Sequence, residues 1–291
     1  MRRRTFLKVA GISTVGVIAA GGSAAYYSRS IEPSWVDITS IPLYMPRLSP
    51  AFDGYRVVQI SDIHADEEWM FPARLQPILD AVNELHPDLI LITGDFVTYE
   101  GDEPLNTITA LSSLSARDGI FAVLGNHDHW SGADEVRAVL KATNIQELPN
   151  KVHTIARKGA MLHIVGLDDL WPYSSRTLSV WSYEPLLHDV MRTMPQQGAA
   201  VLLVHEPDFA DVAAKSNRFD LQLSGHTHGG QVRIPFVGAV ELPPLGRKYS
   251  SGLYQFPSMQ LYTNRGLGMV HPMIRFNCRP EITLFTCHPM T

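Results

Sequence analysis

The sequence predicts an α/β fold, and three observations carry the prediction. Short continuous apolar runs, at 88–93 and 199–204, read as strands of a sheet covered on both faces. Segments with apolar residues at helical spacing alternate with these runs, which is the signature of βαβ units. Strand after strand stops at residues able to bind a metal or titrate, which places a site along one edge of the sheet.

The first 29 residues stand apart from that pattern. Met1-Arg2-Arg3-Arg4-Thr5-Phe6-Leu7-Lys8 precedes a weakly apolar stretch at 9–27, with no acidic residue before Glu32. A basic start before an apolar segment is a targeting signal. Arg3-Arg4-x-Phe6-Leu7-Lys8 resembles the twin-arginine export signal, which implies the twin-arginine export machinery as a partner and a location in the periplasm or on the outer face of the cytoplasmic membrane. Gly22-Ser23-Ala24 and Ser23-Ala24-Ala25 are weak cleavage sites, so a retained membrane anchor is the alternative to a removed signal. Five of the 24 basic residues and none of the 29 acidic ones lie in this segment, leaving 19 basic against 29 acidic. That balance excludes a dedicated nucleic-acid binder, which needs a basic stripe. Cys278 and Cys287 are the two cysteines, so no disulfide framework holds the fold; they read as free, packed thiols in a C-terminal hairpin.

Residues 30–53, with Pro33, Pro42, Pro46 and Pro50, read as a linker and an edge strand. Residues 54–291 read as a single domain. Residues 55–60 form a strand ending at Ser61-Asp62-Ile63-His64, and Asp62 and His64, two apart, share one side of an extended segment. Residues 72–85 form an amphipathic helix with Leu75, Ile78, Leu79, Val82 and Leu85 on one face, closed by His86-Pro87. The strand at 88–93 ends in Gly94-Asp95. A helix at 105–114 leads to a strand at 120–124, then to a polar loop, Gly125-Asn126-His127-Asp128-His129. Taken alone, that loop could be a solvated turn. A helix at 135–142 follows, then an antiparallel pair at 151–156 and 161–167 turning at Lys158-Gly159. Residues 168–182 form a loop rich in Trp, Tyr and Ser, and 184–194 a helix. The strand at 199–204 ends at His205-Glu206-Pro207, a short helix covers 208–214, and 221–223 leads into Ser224-Gly225-His226-Thr227-His228-Gly229-Gly230-Gln231. His226 and His228 repeat the alternate spacing, between glycines that permit close backbone approach. The remainder, in short strands, completes a second sheet.

The strand ends therefore offer Asp62, His64, Asp95, Asn126, His205, His226 and His228, with His127 beside them. Carboxylate, imidazole and amide oxygen suit Mn, Fe, Zn or a similar divalent ion, and seven ligands suit two adjacent ions rather than one. The order Asp62-x-His64, Gly94-Asp95, Gly125-Asn126-His127-Asp128, His205, Gly225-His226-x-His228 resembles the calcineurin-like metallophosphoesterases. Gly-His-Thr-His-Gly-Gly-Gln with the twin-arginine start resembles their exported bacterial branch, the YaeI-like phosphodiesterases. The resemblance implies a four-layer α/β/β/α sandwich, two mixed sheets flanked by helices. It implies that Asp62, His64 and His228 hold one ion, that Asp95 bridges, and that Asn126, His205 and His226 complete the second. It implies hydrolysis of a phosphate ester by a hydroxide between the ions, with His127 protonating the leaving oxygen or binding a phosphoryl oxygen and Asp128 orienting it. Purple acid phosphatases need a tyrosine three residues after the bridging aspartate; Thr98 stands there and Tyr99 is one residue late.

The substrate is less legible. Trp69, Met70, Phe71, Trp130, Trp171, Tyr173, Trp181, Leu267, Met269 and Val270 lie in loops near the ligand motifs, as an apolar rim for a lipid or membrane surface or as packing for those loops. The resemblance implies a phosphodiester substrate, with a phospholipid or nucleotide-lipid as the expected class. The alternatives are a broad phosphomonoesterase and a non-catalytic, metal-bound envelope scaffold.

Overall fold

The structure, a computed structural model, describes residues 21–171 and 179–290. The twin-arginine motif and Tyr173 lie outside the described residues. No helix among the described residues is long and apolar enough to cross a membrane.

In chain order the strands are β1 (Asp37–Met45), β2 (Tyr55–Ile60), β3 (Leu89–Thr93), β4 (Ile120–Val123), β5 (Gln146–Glu147), β6 (Lys151–Arg157) and β7 (Ala160–Gly166). They continue with β8 (Ala199–Leu203), β9 (Leu221–Ser224), β10 (Arg233–Ile234), β11 (Gly238–Ala239), β12 (Gly252–Gln255), β13 (Gln260–Thr263) and β14 (Glu281–Pro289). The α-helices are α1 (Pro72–Glu84), α2 (Asp102–Ile108), α3 (Asn126–Ala142), α4 (Glu184–Thr193) and α5 (Ala210–Ala213).

One sheet has the order β1-β14-β2-β3-β4-β5 and the other β12-β13-β9-β8-β7-β6. Both are mixed: β2, β3 and β4 run parallel, as do β7, β8, β9 and β13, while β14 is antiparallel to β2 and β6 to β7. Three apolar cores lie between four layers. Between the sheets, Val57, Leu89, Leu91 and Phe121 meet Leu162, Val201, Leu221 and Tyr262. The alternate residues of the first sheet, Val58, Ile60, Ile90 and Ile92, pack on Leu75, Leu79 and Val82 of α1 and Val136 of α3. Those of the second, Val165, Ala200 and Leu202, pack on Leu187 and Val190 of α4 and Val212 of α5. A strand buried on both faces is mostly apolar on both, which is why these runs show no regular polar alternation; the exceptions, such as Gln59 and Gln222, are hydrogen-bonded. The α/β/β/α sandwich is thus the fold.

Three expectations need correction. The segment before β1 is not a plain linker: Tyr27–Ile31 and Glu32–Ser34 are helical turns, with Pro33 at the first turn, where its missing N–H costs no bond. They are tied down where Arg275 N donates to Ser28 O at 2.8 Å and Cys278 N donates to Glu32 Oε1. The cysteines share no hairpin: Cys278 lies before β14, Cys287 lies within it, and β14 is inserted between β1 and β2. Both thiols are free and buried. The polar loop after β4 is helical, since Asn126, His127 and Asp128 form the first turn of α3, kinked at Gly132 (φ +115).

Candidate metal centre

The parallel strands of both sheets end at one place. β2, β3 and β4 deliver Asp62, His64, Asp95 and Asn126; β8 and β9 deliver His205, His226 and His228. The two sets are joined across the gap between sheets: Gln59 Nε2 donates to Ser224 O at 3.0 Å, His226 N to Asp62 Oδ1 at 2.9 Å, and His205 Nδ1 to Thr93 O at 2.6 Å.

Asp62, His64, Asp95 and His228 are buried, and each offers a ligand atom within 4.8 Å of the others. His64 Nε2 and His228 Nε2 face each other at 3.0 Å. Asp95 Oδ2 lies 3.3 Å from His64 Nε2 and 3.2 Å from His205 Nε2, so one carboxylate oxygen stands between the two groups. Its other oxygen accepts from His127 N at 2.9 Å. On the far side of Asp95, Asn126 Oδ1 and His205 Nε2 are buried without a hydrogen-bond partner, as is Asp62 Oδ2. Buried polar atoms without partners are costly, and a cation is the kind of group that satisfies them. The residues therefore fit divalent ions on both sides of Asp95.

The imidazole tautomers agree. Carbonyls only accept, so His205 Nδ1 must donate to Thr93 O, which leaves Nε2 facing Asp95 Oδ2 at 3.2 Å; His226 Nε2 must donate to Pro244 O at 2.8 Å, leaving Nδ1 of that neutral ring with a lone pair. Burial lowers the pKa of His64 to about 4 and of His226 to about 3, and holds His228 well below the usual range, so these rings are neutral at pH 7. Burial acts to raise Asp95, but His205, His127 and His64 hold it well below the usual carboxylate range. Burial lowers His205 as well, yet Asp95 and Asp62 carry it well above its ordinary value.

The backbone carries the strain of this convergence. Asp62 (φ +49), His64 (+47), Asp95 (+56), His226 (+71) and His228 (+50) all adopt the left-handed region. The Asp62–His64 and His226–His228 pairs therefore do not sit on extended segments, and each left-handed residue costs about 1 kcal/mol or more. Glycines supply the clearance. A Cβ on Gly125 would strike Asp95 Oδ1 and lie 2.7 Å from His205 Nε2, and one on Gly225 would strike Ser61 Oγ and Asp62 Oδ2.

Asp128 does not meet the His127 ring. Its Oδ1 accepts from Phe96 N (2.8 Å) and Val97 N (3.2 Å) and its Oδ2 from Gly125 N (3.0 Å), so it clamps the turns after β3 and β4 together. The His127 ring is oriented by Thr98 O, which accepts from Nδ1 at 3.0 Å, and it lies against the rings of His64 and Trp130. Tyr99 is half exposed, its hydroxyl accepting from Glu67 N at 3.0 Å, so it is no metal ligand.

Asp95, Asn126, His127, His226 and His228 open into a pocket of about 370 Å³ whose outer wall includes Trp130, Trp171, Val232, Val240, Leu242 and Val270. The expected aromatic rim is therefore split. Trp130 and Trp171 stack edge to face at 5.1 Å over the site. Met70, Leu267 and Met269 are buried packing, Trp69 lies under Arg74, and Trp181 lies under Lys215. A carboxyl pair escaped the sequence reading. Glu206, next to His205, is buried, and Asp169 beside it is partly buried; burial raises the pKa of both, and only their separation in sequence hid them.

Residues 55–230 match the family model described as calcineurin-like phosphoesterase. The chain is 36% identical to the metallophosphoesterase YkuE of Bacillus subtilis, over 98% of this chain and 97% of that one. It is 31% identical to the phosphodiesterase YaeI of Escherichia coli, over 97% of each. It is 28% identical to the UDP-2,3-diacylglucosamine pyrophosphatase LpxG of Chlamydia muridarum, over 95% of this chain and 96% of that one.

Proposed function

The chain belongs to the calcineurin-like phosphoesterases, metal-dependent hydrolases of phosphoric esters, and from that premise we propose that it cleaves a lipid-borne phosphodiester outside the cytoplasmic membrane. The observation that carries the hydrolytic reading is Asp95 Oδ2 standing between His64 and His205, with orphaned acceptors on either side. Two divalent ions, when bound, supply an activated water and offset charge on the phosphoryl oxygens.

The protein's own residues do the rest. Asp95 joins the ligands of both sheets. Asp128 and the glycines hold the ligand-bearing turns in register. His127, its Nδ1 donating to Thr98 O, keeps Nε2 for the substrate; protonated there, it hands a proton to the departing oxygen. The apolar outer wall of Val232, Val240, Leu242 and Val270 suits an alkyl or acyl substituent next to the ester. The names of YaeI and LpxG support a diester and a lipid-linked class, and Arg3-Arg4 supports export.

The test compares hydrolysis of bis-p-nitrophenyl phosphate and p-nitrophenyl phosphate by metal-loaded protein, before and after exhaustive chelation. Diester preference that vanishes with the metal and returns with Mn²⁺ is expected. Preference for the monoester points to a phosphomonoesterase, and no turnover of either with full metal content points to a scaffold.

A further inference from the structure

The hairpin of β10 and β11 presents an apolar tip that none of the described residues covers. Ile234 is 47% exposed, Val237 75%, Val240 61%, and Phe236 is fully exposed. No charged residue lies between Arg233 and Glu241. A solvated turn of this kind is normally polar, and a contiguous apolar projection marks a surface that meets something apolar.

Two features say what it meets. The hairpin is continuous with the metal pocket, since Val232, just before it, and Val240, just after it, line the pocket wall. The hairpin base is also joined to the path by which the chain enters the fold. Arg233 N donates to Phe276 O at 2.9 Å, and the neighbouring Arg275 N donates to Ser28 O at 2.8 Å. The sequence before Ser28, residues 9–27, is apolar and follows a basic start. The chain thus enters the fold beside the base of the apolar hairpin, at a point preceded in sequence by an apolar stretch. A single soluble partner explains the hairpin alone, whereas a bilayer accommodates both.

We propose that the 234–240 hairpin inserts into the surface of a phospholipid bilayer and holds the mouth of the metal pocket against it. This deepens the reading of a lipid-borne diester and rests on it: an ester in the headgroup layer then reaches the metals while its chains stay among lipid. The rest of the described surface need not be basic for this, because the insertion is apolar, and an excess of acidic residues makes zwitterionic lipid the fitting surface.

The experiment uses the full chain. Cys278 and Cys287 are buried, so an environment-sensitive dye placed through V237C reports the hairpin alone. A156C, on exposed β6, is the control: neighbouring Arg157 bonds Asp118 before β4, at the strand edge opposite the metals. On addition of phosphatidylcholine vesicles the dye at 237 should shift to the blue and be quenched by brominated acyl chains, while the dye at 156 should not change. F236S in the labelled chain should weaken the response. A dye at 237 that stays in water while the protein sediments with the vesicles overturns the proposal. So does a dye already shifted before lipid is added: a shift growing with protein concentration means a second copy covers the hairpin, and a concentration-independent one means the chain's own leader does. Hydrolysis of bis-p-nitrophenyl phosphate by the same samples separates the two readings. Insertion without turnover leaves the docking and removes the enzyme; turnover without insertion does the reverse.

Discussion

Asp95 and His127 are bonded neighbours with separable roles. Asp95 stands between two imidazoles that would each face a cation, so Asp95→Ala removes the anion shared by both groups. His127 reaches the centre through its backbone N–H on Asp95 and its ring on Thr98 O, and neither bond makes it a ligand. Metal analysis of D95A should show loss of at least one ion, whereas H127A should retain both. H127A should slow diester turnover by roughly 10²–10⁴-fold, the usual contribution of a positioned acid. The loss should be greater for an alkoxide leaving group than for p-nitrophenolate, which hardly needs a proton. Equal slowing on both diesters would remove His127 from the acid role.

At the scale of elements, turns rather than regular structure position the ligands. The βα turns after β3 and β4 are stitched by Asp128, which also sits at the third position of α3 and bonds the N–H of its cap, Gly125. Gly125 has an ordinary φ of −114°, so its need for glycine is purely steric: Asp95 and His205 occupy the space of a Cβ. Gly125→Ala should therefore lower metal occupancy while leaving the circular dichroism of the folded chain unchanged. Intact metal binding in G125A would show that the turn has more room than the clearance around Asp95 indicates.

Across the whole molecule, the two halves of the sandwich are tied at the rim of the site. His129 of α3 bonds Asp168, which follows β7, at 2.8 Å, and Arg137 joins both Asp168 and Glu147. The bond to Asp168 raises the His129 pKa above its ordinary value. A raised folded-state pKa adds stability that is fully present below the unfolded value, about 6.5, and is lost as pH rises through the folded one. The pair is partly solvated, so its worth is no more than about 1 kcal/mol. His129→Gln should lower the melting temperature by a few degrees at pH 6 and by less at pH 9. A constant difference across that range would mean that packing, not charge, is lost. The export proposal also concerns the chain as a whole. Replacing Arg3 and Arg4 by lysine keeps the charge but removes the guanidinium fork, and cell fractionation should then find the protein retained in the cytoplasm. Undiminished export would speak against the twin-arginine route.

The strands and their polar ends were legible from sequence because a sheet covered on both faces is dominated by apolar residues, so its boundaries show as changes of composition. Asp62, His64, Asp95, Asn126, His205, His226 and His228 could be read off as a set for that reason. Their conformation could not. Five of them are left-handed, a state that non-glycine residues adopt only when surrounding contacts hold them there. Nor could the partner of Asp128 be read: adjacency in sequence suggested His127, but the donors it serves include Phe96 and Val97, brought to it by the parallel pairing of β3 with β4. The insertion of β14 between β1 and β2 and the pairing of Asp169 with Glu206 were hidden likewise. The sequence by itself determined which residues line the carboxyl edges of the strands. Only the tertiary structure decided which of them touch, because contacts between two sheets depend on register and layer packing, which local sequence does not encode.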